Sequence, residues 1–321
     1  MALEKRITYL DTISGLFIII MLLWHYNITS WQIHSLENFF YFFLPWFYFK
    51  SGMLSKIEAL NSKSIKNWGE KLLFPYLIYT AWGGVIALIT AWCNGSLNLL
   101  TFCGTVLWQT VYLGSSWYNK PVWFLLTLFL CKFICSFCAD RLKPLYLMII
   151  AFFIAYLHSW LCNEQLNWIG NTSLAIVFYM SGHILRDIQW KSYIWIPSLI
   201  VYIATFVFTP VNIDARSNVL YYGTYPIGVF TAILGCISIN NIIPKTNISI
   251  LRPMTWIGRN SLLIMVFHYP LISPIRSFVS CFCTIEPINN SLVALIVSAS
   301  TFLYIKLISF INVSRNNNVK I

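Results

Sequence analysis

The chain has 321 residues, of which 58% are hydrophobic and only 10% charged, and its net charge is +11. No water-soluble domain of this length could cover its surface with so few charges, so the composition excludes a soluble globular protein and indicates a polytopic membrane protein. The basic residues are scattered among apolar stretches and form no run with interleaved exposed aromatics, which argues against a nucleic-acid partner.

Apolar stretches long enough to cross about 30 Å of hydrocarbon recur along the whole chain. They predict an all-α bundle of about ten transmembrane helices, over residues 9–30, 36–54, 72–92, 121–139, 144–162, 172–186, 193–211, 219–243, 260–281 and 288–311. The connections are short, so residues 1–321 read as a single transmembrane domain. The first stretch has a basic start but no small-residue cleavage site, and an acid interrupts it, so it reads as a retained span. Residues 97–114 form a further, moderately apolar stretch containing Gln109, which reads as a re-entrant or interfacial helix. An even number of spans puts both termini on one side. With that side cytoplasmic, sixteen basic residues fall on inner segments and three, Lys120, Arg216 and Arg276, on outer ones, while Lys132 and Lys306 lie within spans. This agrees with the excess of Lys and Arg in cytoplasmic loops, and the Trp and Tyr at span ends suit the headgroup zone. The cysteines are dispersed. Cys131, Cys135 and Cys138 share a helical face, but a lone C-x-x-C has no second pair to complete a zinc site, so no metal is expected.

The polar residues inside the spans need a reason. A charge at mid-bilayer costs about 2.5–3.5 kcal/mol on insertion scales. The first span, RITYLDTISGLFIIIMLLWHYN, carries Asp11 near its start and His25 near its end. At 100° per residue, Asp11, Gly15, Ile18, Leu22 and His25 fall along one stripe, turned toward the bundle interior. Fourteen residues separate acid and imidazole by about 21 Å along the axis, too far for one to orient the other. Asp11 reads either as a charge favoured by the helix N-terminus, or paired with Arg6, or as a functional acid. His25 reads either as an interfacial imidazole or as a base. His268 lies well inside the ninth span, where no interface explains it, and is either a core histidine or a group facing an acceptor.

Four stretches, in order, carry a family resemblance: RITYLDTISG with a histidine ten residues beyond its final Gly; FFYFFLPWFYFKSGMLSK followed by KLLFPYLIY; PVWFLLTLFL; and WIGRNSLLIMVFHYPLI. Together they resemble the membrane-bound acyltransferase family 3, and especially its short sugar O-acetylases of bacteria. The resemblance implies transfer of an acyl group, usually acetyl, from cytosolic acetyl-CoA to a hydroxyl of a cell-surface polysaccharide or glycolipid, in the bacterial cytoplasmic membrane. It implies catalytic roles for His25 and Asp11 and favours substrate binding by His268 and Trp123, the latter otherwise an aromatic of the core; Lys71 and Lys56 of the cytoplasmic loop, with Arg6, read either as a surface for the donor's phosphates or as the positive charge that topology places there. The implied partners are acyl-CoA, a glycan or lipid-linked sugar, membrane lipids and envelope polysaccharide-synthesis proteins. One position departs from the pattern: many members carry a basic residue just before the motif Gly, where this chain has Ser14. Arg6 or a lysine of the basic loop could stand in for it. His25 could act as a general base or could itself carry the acyl group. A transporter or flippase of a lipid-linked sugar, with Asp11 and His25 relaying protons, is the rival reading, and a noncatalytic envelope partner a third.

Overall fold

A computed structural model describes residues 8–28, 38–96, 98–114, 117–161, 166–186, 195–208, 213–214, 219–220, 225–243 and 252–318. Among the described residues, apart from a two-residue antiparallel ribbon pairing Ile213 with Leu220 and Asp214 with Val219, the regular structure is helical. Helices suit this composition, because in lipid every backbone N–H and C=O must be satisfied within its own segment or in a closed barrel.

In chain order the helices are α1 (Thr8–His25), α2 (Phe43–Leu54), α3 (Ser62–Trp68), α4 (Phe74–Cys93), α5 (Leu99–Trp108), α6 (Trp123–Cys138), α7 (Pro144–Leu161), α8 (Asn167–Leu185), α9 (Trp195–Phe208), α10 (Tyr225–Ile242), α11 (Arg252–Arg259), α12 (Ser261–Phe267), α13 (Tyr269–Ser280) and α14 (Glu286–Asn318). A π turn, Gly69–Leu73, joins α3 to α4. Pro75 explains it, since proline cannot donate to the Lys71 carbonyl and the ladder widens there.

Helix occurs in each of the ten predicted stretches. Among the described residues, six helices are long and apolar enough to cross a membrane, or seven if α12 and α13, bent by 50°, count as one span. The other three predicted stretches differ for physical reasons. Helices α2 and α9 are only 12 and 14 residues long. Helix α8 runs 19 residues but carries Asn171, Thr172, Ser173 and Ser181, all buried. It is surrounded by protein rather than lipid, so polar side chains are tolerated. By contrast, α14 leaves Leu295, Leu303 and Phe310 exposed, an apolar surface that suits lipid contact. The stretch at 97–114 forms α5 followed by a second π turn, Gln109–Leu113.

Two crossings hold the bundle by close backbone approach. A Cβ on Gly15 would fall inside the Met254 carbonyl, and one on Gly258 inside the Asp11 carbonyl, so α1 and α11 run antiparallel with each glycine against the other's backbone. Gly52 meets Tyr179 and Gly182 meets Phe49 in the same reciprocal way between α2 and α8. Small residues serve such interfaces because lipid supplies no hydrophobic drive between helices, and association rests on packing. The core around α1 is aromatic, with Phe17 5.3 Å from Trp46 and 5.7 Å from Phe42, ring to ring.

Candidate active site

The interior stripe of α1 meets residues 252–269 along its length. At one end Asp11, buried, lies 3.5 Å from Arg259, Oδ2 to Nε. At the other, His25 is half-buried, its ring 5.4 Å from His268 and 5.0 Å from Tyr269. The two ends of the stripe are about 21 Å apart along the axis.

His25 reaches that neighbourhood because the helix breaks within the ninth predicted stretch. Helix α12 stops at Phe267 and α13 restarts at Tyr269, with His268 at the corner. Pro270 is the cause: lacking an N–H, it cannot meet the Val266 carbonyl. The orphaned oxygen is taken by Asn119, whose Nδ2 donates to Val266 O and to Tyr79 O, both at 2.9 Å. Asn119 is fully buried in a non-helical conformation within the short turn Trp117–Val122. Gly83 makes room for it, since a Cβ there would come within 2.8 Å of the Asn119 Cβ. Phe267 is further clamped between Trp82 and Tyr304, at 5.6 Å and 3.9 Å.

His268 is fully buried and its Nδ1 lies 2.7 Å from the Ile264 carbonyl. A carbonyl only accepts, so this nitrogen carries the proton and Nε2 is left as an acceptor. Nε2 has no hydrogen-bond partner among the described residues.

His25 faces a cavity of about 1250 Å³. This is more than a drug-sized ligand needs and roomy enough for a sugar with its attachments. Aromatic faces from Trp24, Tyr118 and Trp123 line it beside amides from Asn27, Asn38 and Asn94. Of the two expected substrate contacts, Trp123 forms part of the wall, whereas His268 stands behind His25 and is not among the lining residues.

At the Asp11 end the structure gathers cations. Lys50, on α2, donates to the buried Ser14 Oγ at 2.7 Å and lies 5.5 Å from the Trp46 ring. A cation therefore stands at the very position where Ser14 breaks the motif. One turn beyond, Ser55 collects three more groups: Lys132 Nζ donates to its hydroxyl at 2.9 Å, Arg186 Nη1 to its carbonyl at 2.9 Å, and His183 Nδ1 lies 3.3 Å from that carbonyl. Positive charge is favoured here because Ser55 caps the C-terminus of α2. Lys56 and Lys71 are exposed, and Arg6 lies outside the described residues. Sequence reasoning placed Lys132 within a span without assigning it a role. Its signal was a lysine inside LLTLFLCKFIC; Lys50, Arg186 and Asn119 gave none. Cys131 and Cys135 are buried among core side chains, and no cluster of three metal-ligating groups occurs among the described residues.

No match was found among curated proteins or among solved structures. The acyltransferase-domain family, however, matches the chain over residues 7–309, which takes in the α1 stripe, the broken span and every helix that walls the cavity. The protein belongs to this family, the membrane-bound acyltransferase family 3, and is an acyltransferase.

Proposed function

We propose that the protein transfers a short acyl group, acetyl from cytosolic acetyl-CoA, to a hydroxyl of a cell-surface polysaccharide or glycolipid sugar. It does so as a single domain of about ten spans, with both termini cytoplasmic, in a bacterial cytoplasmic membrane. The observation that carries this reading is His25 at the wall of a large, polar and aromatic cavity, backed by a second histidine of defined tautomer.

In this account a sugar hydroxyl enters the cavity and His25, neutral, accepts its proton as the oxygen attacks the thioester carbonyl. The C–S bond then breaks and the proton passes to the departing thiolate. Such general-base help is worth about 10² to 10⁴-fold. His268 packs its ring against the imidazole, and its unprotonated Nε2 would accept from an N–H of His25 once that ring turns toward it. Trp123 shapes the path of the acyl chain.

The donor approaches from the Asp11 end, where Lys50, Lys132 and Arg186 stand, and Lys56, Lys71 and Arg6 are the further donor-binding residues expected from the sequence. Its phosphates suit such a cationic surface. Lys50 supplies the charge that Ser14 lacks, and Asp11 holds Arg259 at the same end. The separation of the two ends requires the donor's flexible arm to reach along α1 toward His25.

The test is acetylation of surface glycans in cells with the gene deleted, restored, or restored as His25→Ala. Acetyl signals that return with the wild-type gene alone support the reading. Glycans that keep their acetyl groups but fail to reach the surface after deletion would instead favour a transporter.

A further inference from the structure

Resting on that reading, we infer that the acceptor is anionic, carrying a phosphate or carboxylate that Arg276 holds in the His25 cavity.

Arg276 lines this cavity, as does Lys120, and no carboxylate does among the described residues. In the orientation proposed above, only three basic residues lie on the outer side, and two of them are here. Placing Lys or Arg outside runs against the usual bias of membrane proteins. Aromatic and amide groups already present in the wall are sufficient for a neutral sugar, so the Arg276 guanidinium calls for a separate reason.

The Arg276 geometry supplies one. Its Nη2 donates to the Tyr26 carbonyl at 3.2 Å, tying the guanidinium to the end of α1 immediately past His25. Its Nε is buried and has no acceptor among the described residues. A buried N–H without a partner is unfavourable, and a turn of the guanidinium toward a ligand oxygen in the cavity would relieve it. Guanidinium is also the side chain best suited to a planar carboxylate or a phosphate, which it can grip with two N–H groups.

Position fits as well. Tyr269, whose ring touches His25, and Arg276 are seven residues apart on α13, two helical turns or about 10 Å. The anion would thus sit one sugar unit or one linkage away from the reacting hydroxyl. Two sources share this chemistry: the diphosphate of a lipid-linked sugar, and the carboxylate of an acidic sugar.

The experiment works on whichever acceptor the cells make. Membranes from producing cells are incubated with acetyl-labelled acetyl-CoA, and the labelled product that depends on His25 is passed over an anion-exchange column at neutral pH. Retention is expected. Charge lost after mild acid hydrolysis identifies the diphosphate, and charge that persists identifies the acidic sugar. A His25-dependent product that flows through as neutral overturns the inference while leaving the acetyltransferase reading intact. Absence of any His25-dependent product removes that reading and the inference with it. In parallel, Arg276→Gln is expected to lower transfer about ten-fold or more, the effect of losing one charge-assisted hydrogen bond, with Arg276→Lys recovering part of it. Wild-type transfer by folded Arg276→Gln would also overturn the inference.

Discussion

Asn119 is the residue on which the shape of the site depends most, and replacing it tests the explanation given for the broken span. In Asn119→Leu the volume is nearly kept while both donated bonds vanish. The Tyr79 carbonyl lies within α4 and retains its helical partner, so its loss is that of one ordinary hydrogen bond, about 1 kcal/mol. The Val266 carbonyl has no helical alternative, because Pro270 occupies the donor position, and an unsatisfied buried group costs about 1–3 kcal/mol. The side-chain Oδ1 has no partner among the described residues, so its removal costs nothing. The expected destabilisation is therefore about 2–4 kcal/mol, concentrated at the corner that positions His268 and Tyr269. Thermal unfolding in detergent should show a lower midpoint. Acetyl-CoA turnover measured well below that midpoint should fall as well, since the corner sets the His25 neighbourhood. Asn119→Asp should be no better than Leu, because an ionised carboxylate would face two carbonyl oxygens. Wild-type midpoint and turnover in Asn119→Leu would refute the reasoning, and would mean that the bend is held by packing of Phe267 alone.

Three further outcomes are expected. Lys50→Ser should raise the KM for the acyl donor, and the swapped double variant Lys50→Ser with Ser14→Lys should restore it at least in part; equal donor kinetics in all three proteins would show that no cation is needed there. Gly258→Leu should destabilise the fold by about 1–3 kcal/mol or more, because its side chain must push α1 off α11, whereas Gly104→Leu, with open space around it, should be tolerated in the same unfolding assay. His268→Phe should keep the fold but lower turnover and shift its pH profile, and His268→Gln, which can still offer an acceptor, should lie between Phe and wild type; unchanged profiles would remove His268 from any part in positioning His25.

Some of this architecture was legible from the sequence for definite reasons. The first span was readable because its apolar run is bounded by polar residues, and its 100° stripe from Asp11 to His25 does face the segment 252–269. Trp123 could be placed near the site through its motif, and it lines the cavity. The count of spans was harder, since α8 is buried by protein on all sides and needs no lipid-compatible composition. The meeting of His25 with His268 was beyond a one-dimensional reading: it joins residues from opposite ends of the chain through a corner whose only local sign is the proline two positions after His268. The placing of Lys50 beside Ser14 is similar, because a hydrogen bond between α1 and α2 leaves no periodic trace in either helix.

The central claim is that His25 performs the proton transfer at the cavity, and it is tested most directly by single-turnover acetyl transfer from labelled acetyl-CoA in purified wild-type and His25→Ala protein, with thermal unfolding recorded on the same samples. The account predicts that His25→Ala unfolds at the wild-type temperature and loses transfer by about 10² to 10⁴-fold. Transfer at the wild-type rate in a folded His25→Ala protein would contradict it.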